Sequence, residues 1–516
     1  MKYTYCLLFL LALIPQFMTR DFTPDNELRY LSIADENLGL HRYFAFLHHG
    51  VAYADKPPLY LWLVMLAKNI VGHHNMLILG LFSALPALAI IYTLYRWTAD
   101  YLSAEWRLMA PLMLFSSLFF IGGAAVIRMD MLMTMFIVLA LHTFYRMYLG
   151  KVSLQGGQWI FGIFIFLAVF TKGPMGVIIP LLSPVVFLLI RGKLSTFTRY
   201  WNWRTLLAIV IPSFIWFYFV WLEGGHAYLQ NLLLHQTVDR AVDAFHHKRP
   251  FYFYGISIWY VLAPWSIMIF TIYGLALKKR VRLSDLELFF AVVFGTTFLF
   301  LSFVSSKVDI YLLPCLPFLV YLAALLQNRM SESRLLRFCL AIPAVIFFLA
   351  APSLLILPAF MSVDISLPLM LCCAILSLSG IAGFYFIIVK RTIARTVFTL
   401  GAGLLATVFI AGCFVAQYNA DLGYGELAAA GKSLYESENV KPCYVSLEIK
   451  RPENMDVYLA APVQAVSKEA VISGQFTGCI LFLNRQKTAA NEPLQEYLKS
   501  MLNKEVANNA AYKLVQ

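Results

Sequence analysis

Apolar residues run in long blocks separated by short polar punctuation, near residues 4–19, 76–95, 108–124, 126–148, 158–171, 173–190, 205–222, 252–276, 288–304, 308–326, 336–357, 366–389 and 396–416. A helix of roughly twenty apolar residues crosses one bilayer and satisfies its own backbone polar groups inside lipid. The pattern therefore predicts an α-helical polytopic membrane protein with about 13 transmembrane helices. Two longer segments, 20–75 and 223–251, mix charges with Tyr, Trp, Phe and Leu, a composition suited to helices lying in the membrane interface. After about residue 417 the hydrophobicity falls. Strand-like runs at 443–449, 479–483 and 511–515 then alternate with helical patterns near 425–436 and 492–503. The expected domains are a transmembrane domain over 1–416, carrying the loops 20–75 and 223–251, and a small α/β domain over 417–516.

Composition fixes the class independently: of 516 residues, 60% are hydrophobic and only 13% charged, more apolar surface than a soluble core buries. Lys2 and the apolar run after it have the outline of a signal peptide. Pro15, Gln16, Phe17 and Met18 offer no small-residue cleavage site, so the first helix is expected to stay as an anchor.

Charge sets the expected orientation. With a cytoplasmic N-terminus, the cytoplasmic segments and span ends hold about 19 Lys and Arg against 5 Asp and Glu, including Arg191, Lys193, Lys278, Lys279, Arg280 and Lys390. The opposite face before residue 418 holds about 11 against 12, the asymmetry of the positive-inside rule. The net charge of +12 is thus topological, and no basic patch remains for nucleic acid. An odd number of spans places the tail outside. Six of the eight cysteines lie in apolar spans, as small buried hydrophobes do. Cys443 and Cys479 lie in the tail and can pair if the compartment is oxidising.

The remaining charges gather on the outer face: Asp25, Glu27 and Arg29, then Asp55 and Lys56, Arg128 and Asp130, Lys172, His235 with Arg240, and Lys307 with Asp309. An ionisable group near the bilayer centre costs about 2.5–3.5 kcal/mol on insertion scales, so Arg128 and Asp130 require partners or a polar cavity. The bland alternatives are a structural ion pair at 128–130, a solvated loop at 25–29, and interfacial lysines at 56 and 172 meeting lipid headgroups.

Taken in order, DNELRYLSIA (25–34), YADKPPLYLW (53–62), RMDMLMTMF (128–136), FTKGPMGVIIP (170–180), HQTVDRAVDAFHHKRPFYFY (235–254) and SSKVDIYLLPCLPFLVYL (305–322) resemble the motifs of the lipid-linked-sugar glycosyltransferases related to bacterial aminoarabinose transferase of lipid A. Protein O-mannosyltransferases are more distant cousins. The resemblance covers about residues 1–330. It implies a glycosyltransferase C-type fold and transfer of a sugar, an amino sugar such as 4-amino-4-deoxy-L-arabinose among the candidates, from undecaprenyl phosphate to lipid A. The reaction would take place on the periplasmic face of a bacterial inner membrane, with inversion at the anomeric carbon. A protein or another surface glycan is the alternative acceptor.

That chemistry needs cations around a phosphate leaving group whose charge grows as the glycosidic bond breaks. Lys56 and Arg240 are the first candidates, with Lys307, Arg29, Arg128 and Lys172 able to complete the cradle; arginine supplies a bidentate fork and lysine a point charge. The family opens its first loop with an acidic pair, D-E, followed by x-R. Here Asn26, Glu27 and Arg29 occupy those positions, with Asp25 one residue earlier. Either Asp25 or Glu27 is then the catalytic carboxylate, with Asp130 as a second acidic group near the acceptor or the sugar amine. A lipid A phosphate is already ionised, so the carboxylate would orient more than deprotonate. Asp55, His235 and His247, with His246 as a substitute, have the ligand types for a zinc ion that the family resemblance supports; no close-spaced motif such as HExxH is present.

No cytoplasmic segment is long enough for a nucleotide-binding domain, so no nucleotide cofactor is expected. A flippase or transporter predicts repeated halves or charges near mid-membrane. Neither appears, and a scaffold leaves the order of the motifs unexplained.

Overall fold

The computed structural model describes residues 4–233, 248–356, 359–360, 365–435 and 442–515. It divides into two compact units, one formed by Met1–Pro15, Ala54–Tyr60 and Gly80–Gly412, the other by Gln16–Tyr53, Leu61–Leu79 and Cys413–Gln516.

The first unit is a helical bundle. Every one of the thirteen apolar stretches is helical, but their lengths differ. Among the described residues eight helices are long and apolar enough to cross a membrane, or up to ten if two bent pairs each count as one span. The expected thirteen is therefore not reached on length alone. The other three stretches form the helices Thr4–Thr19 and Met175–Ile190, of 16 residues each, and Arg334–Phe348, of 15, which continues after Leu349 as the short helix Ala350–Ser353. At 1.5 Å per residue the unbroken helices reach about 22–24 Å, short of a hydrocarbon core of about 30 Å.

The two bent pairs are Trp106–Phe115 with Leu118–Ala125, at 62°, and Phe253–Val261 with Ser266–Lys278, at 112°. Both breaks have local causes and they meet each other. At the first, Ser116 and Ser117 turn their hydroxyls back onto the carbonyls of Leu112 and Met113, a contact that competes with the helical ladder. At the second, Pro264 lacks the N–H that the ladder needs. The Leu118 amide donates to the Ala263 carbonyl at 2.9 Å, and Trp265 Nε1 donates to Ser116 Oγ at 2.9 Å, so each break satisfies groups left over by the other. The Trp203–Gln230 helix runs on past the expected span end at residue 222 and kinks at Gly225, which has φ +73°.

The second unit carries a five-stranded sheet. Its strands are β3 (Tyr444–Leu447), β4 (Val463–Ala465), β5 (Ile480–Asn484), β6 (Asn503–Val506) and β7 (Asn509–Lys513), in the order β4-β3-β5-β7-β6; β1 (Leu47–His48) and β2 (Val51–Ala52) form a separate hairpin. β3 is parallel to both β4 and β5, and the edge β7–β6 is antiparallel. Val445, Leu447, Leu481, Leu483, Val471, Leu494, Leu498 and Leu514 fill one face. Cys443 and Cys479 form a disulfide with a Cα–Cα separation of 4.6 Å.

The strands β3, β5 and β7 fall where the alternation places them. Asn503, read as the end of a helix, instead opens β6 (Asn503–Val506), a strand the pattern did not predict. This edge strand is polar and largely exposed, so it offers no period-2 apolar signal. The segment 20–75 contains the helices Glu27–Gly39 and Leu59–Val71 and the β1–β2 hairpin. Hydrogen bonds to the tail explain why its 20–53 portion clusters with residues 413–516. The Asp21 amide donates to Asn419 Oδ1 at 2.8 Å, the Gly425 amide donates to Asp21 Oδ2 at 2.7 Å, and Ser32 Oγ donates to Asp456 Oδ2 at 2.7 Å.

Candidate active site

In the first unit the chain leaves Ala125 and is pinned by Ser83, whose hydroxyl donates to the carbonyls of Val126 at 2.6 Å and Arg128 at 3.2 Å. That turn delivers Arg128 and then Asp130, the first residue of the Asp130–Tyr148 helix, where a carboxylate meets the positive end of the helix dipole. Asp130 is 2% exposed and accepts from Arg128 Nε at 3.0 Å and from the Lys172 ammonium. Lys172 closes the Leu154–Lys172 helix, where a cation meets the negative end. Gly173, at φ +104°, turns the chain away immediately afterwards. The ammonium also lies 4.5 Å from the centroid of the Tyr311 ring, a cation–π arrangement. The cluster gathers two cations around one carboxylate.

Tyr311 belongs to the 3-10 helix Asp309–Cys315, which carries a second polar group. Asp309 accepts from Ser257 Oγ at 2.6 Å and from the Tyr260 hydroxyl at 2.5 Å. Lys307, just ahead of it, is 4% exposed and donates to the carbonyls of Val304 at 2.5 Å and Arg249 at 3.2 Å. Burial lowers its pKa. Asp55 and Lys56 are partly exposed, in the 54–60 segment of the same unit.

In the second unit Asp25 and Glu27 have different surroundings. Glu27 is 1% exposed and accepts four hydrogen bonds: from Arg20 Nη1 and Nη2 at 2.8 and 2.7 Å, from the Thr23 amide at 2.8 Å and from Thr23 Oγ1 at 3.0 Å. Three of these bonds fall on Oε2 and one on Oε1, so Arg20 and Thr23 hold the buried carboxylate in place. Asp25, with 47% of its side chain exposed, pairs with Lys450 at 2.6 Å. Arg29 donates to Asn26 Oδ1 at 3.1 Å and lies over the Tyr30 ring. Close by, Asp456 is the acceptor for Ser32, and its carboxyl is pushed up by burial. His48 Nε2 stands 3.1 Å from Asn454 Oδ1, and burial, helped by the neighbouring His49, pulls its pKa down to about 4.

The structure thus joins Arg128 to Asp130, adds Lys172 and Tyr311 to them, and separates the partners of Asp25 from those of Glu27. Arg240, His235, His246 and His247 lie outside the described residues. Of the expected metal ligands only Asp55 is described, and among the described residues no three His, Cys, Asp or Glu side chains come together as a metal set. Sequence reasoning missed Arg20, Tyr311 and Asp456, and named Asp309 among the outer-face charges without giving it a role. Arg20, Asp309 and Tyr311 lie beside or inside the quoted motifs, but Asp456 carries no local signal.

Residues 55–217 match the model of the dolichyl-phosphate-mannose-protein mannosyltransferase family. An uncharacterised protein of Aquifex aeolicus is 27% identical over 337 residues, covering 63% of this chain and 64% of its own. The undecaprenyl phosphate-alpha-4-amino-4-deoxy-L-arabinose arabinosyl transferase of an Enterobacter species is 25% identical over 352 residues, covering 64% and 59%. The chain thus spans about three-fifths of the length of the curated relatives it matches. The crystal structure of ArnT from Cupriavidus metallidurans bound to undecaprenyl phosphate superimposes with a TM-score of 0.78 at 16% identity, covering 98% of this chain and 97% of that one. This likeness establishes the fold as the polytopic, glycosyltransferase C-type one. The chain is thus similar in sequence, over about two-thirds of its length, to aminoarabinose transferases and, over residues 55–217, to the mannosyltransferase family, and it shares the fold of ArnT.

Proposed function

We propose that this chain is a membrane glycosyltransferase that moves a sugar from undecaprenyl phosphate to lipid A or a related lipid, inverting the anomeric centre. The observation that carries the reading is the cluster of Arg128 and Lys172 on the buried Asp130, which falls inside the segment matching the mannosyltransferase family. Relatives whose printed names include undecaprenyl phosphate support the choice of donor.

In this mechanism Lys56 and Arg240 neutralise the departing phosphate, with Arg128, Arg29 and the third N–H of Lys307 in support. Asp130, gripped by two cations, orients the sugar. Asp25 is our choice for the carboxylate that orients the acceptor, because Glu27 is buried and engaged by Arg20 and Thr23, whereas Asp25 is about half exposed. A zinc ion on Asp55, His235 and His247 would tie the two outer loops together; about one equivalent of zinc in the purified protein, lost in His235→Ala, supports it, and none overturns it. The basic side chains of the presumed cytoplasmic segments and the Cys443–Cys479 disulfide both support an inner-membrane protein with its N-terminus in the cytoplasm and the 417–516 domain in the periplasm.

Mass spectrometry of lipid A from cells with and without the chain tests the reading. Loss of a sugar-sized mass on deletion supports transfer to lipid A, and the mass narrows the sugar. Unchanged lipid A removes that acceptor. It moves the search to glycoproteins, a second reading favoured by the family match of residues 55–217.

A further inference from the structure

At the end of the bundle away from Asp130 along its own helix, the helices Asp130–Tyr148 and Leu154–Lys172 are joined by the short 149–153 turn, and residues of both helices and of the turn line a groove of about 450 Å³. That volume falls in the range of small-molecule sites, about 300–1,000 Å³. Its two halves differ in chemistry. Toward the middle of the helices it is walled by Leu139, Ile160 and Phe164, with Phe164 stacked on Phe136 at 6.5 Å and Ile160 47% exposed. Toward the helix end it is lined by His142, Arg146 and Ser153. Ser153 Oγ already caps the second helix by accepting from the Gly156 amide.

Arg146 is exposed in the last turn of its helix, and among the described residues no carboxylate lies within ion-pairing distance of it. Contact with the helix dipole would place a cation here but would not build a cavity beside it. An apolar wall along two apolar helices, ending in an exposed guanidinium at the helix end, matches the layout of a lipid with an anionic head. From the distribution of charge and apolar surface, we propose that this groove holds an anionic phospholipid of the leaflet at the basic end of the bundle. Its phosphate would sit on Arg146 and its upper acyl chain against Leu139, Ile160 and Phe164. Zwitterionic phosphatidylethanolamine brings its own ammonium and gains less from the same arginine. This site is independent of the catalytic reading, and catalytic activity is not its readout.

The test is native mass spectrometry of the full-length protein released from detergent, with phosphatidylglycerol and phosphatidylethanolamine of matched chains supplied in equal amounts. One basic side chain near a membrane surface contributes about 1 kcal/mol toward an anionic headgroup, so wild type should retain phosphatidylglycerol about fivefold over phosphatidylethanolamine. Arg146→Gln should bring the ratio to about one, and Arg146→Lys should keep the preference. Ile160→Trp, which fills the apolar half, should lower retention of both lipids and decides the matter if Arg146→Gln fails to fold. Inorganic phosphate should not displace the lipid. Wild type without preference, an unchanged ratio in Arg146→Gln, unchanged retention in Ile160→Trp, or displacement by phosphate alone would each overturn the proposal.

Discussion

Asp25 and Glu27 stand two residues apart, yet substitution should affect them in opposite ways. Glu27 is buried with four donors on it, and removing one partner of a buried charged pair costs about 3–5 kcal/mol, because the other is left uncompensated. Glu27→Gln should lower the thermal unfolding temperature and the yield of the purified protein, with activity falling only as far as folded protein does. Asp25 pairs with Lys450 at an exposed site, an interaction worth about 0–1 kcal/mol. Asp25→Asn should leave stability unchanged and lower kcat on the order of a hundredfold, the scale set by misplacing a reacting group. Unchanged kcat in Asp25→Asn, alongside a folded but inactive Glu27→Gln, would reverse the assignment. The sequence supplied both candidates because each is a charge near a membrane. It did not separate them, because the separation depends on Arg20, seven residues before Glu27, and on Lys450, which follows Asp25 by 425 residues. The same holds at Asp130: its partner Arg128 is adjacent and legible, whereas Lys172 arrives from another helix 42 residues later.

At the scale of elements, helix existence was legible and helix breaks were not. Apolar composition reports the solvent a segment meets, but Ser116–Ser117 and Pro264 bend their spans through backbone hydrogen bonds that hydropathy does not register. The sharp reversal after Lys172 is another such feature. Gly176 sits where the Met175–Ile190 helix starts back against the preceding one, and a Cβ there would lie 2.5 Å from the Ala168 carbonyl carbon and closer still to the Val169 amide. Backbone cannot give way as a side chain does. Gly176→Ala should therefore cost on the order of 1–3 kcal/mol, read as a lower unfolding temperature, while Gly255→Ala, where nothing lies within 4 Å, should be close to neutral. Equal effects at the two positions would show that the close approach is absent.

The contact of His48 with Asn454 titrates. The imidazole has its pKa lowered from 6.5 to about 4, chiefly by burial and next by His49, opposed by Asn454 and Glu453. The unfolded chain then takes up a proton below pH 6.5 that the folded state refuses until about pH 4. The stability contributed by neutral His48 is complete above pH 6.5 and is lost as the pH falls through that window. Asp456, raised by burial, works in the opposite sense, its contribution being present at low pH and lost as the pH rises through its folded value. Comparing wild type with His48→Gln holds Asp456 constant: between pH 6.5 and 4 the unfolding temperature should fall more steeply in wild type, and parallel curves would remove His48 as the cause.

For the whole molecule, the ordering force is the distribution of charge between its two faces. About 19 basic against 5 acidic residues on one side, and near balance on the other, is the bias that fixes the insertion of a multispan chain. The Cys443–Cys479 disulfide adds an independent constraint, since such bonds persist on the oxidising side of a membrane. The proposed topology accounts for both, with the tail and the acidic loops outside and the Lys278–Arg282 cluster inside. Two single cysteines at exposed positions, Glu469→Cys in the tail and Lys279→Cys in the basic cluster, test this against the labelling background of the unmodified chain. A membrane-impermeant maleimide applied to cells whose outer membrane has been made permeable should label position 469 and leave position 279 unlabelled until the inner membrane is disrupted. The reverse pattern would place Asp25, Lys56 and Asp130 on the cytoplasmic side, where the one-sided site would face the wrong compartment for its proposed acceptor. Labelling of both positions before disruption would mean that the spans do not seal the two faces apart, and the bundle would have to be redrawn from Thr4–Thr19, Met175–Ile190 and Arg334–Phe348 outward.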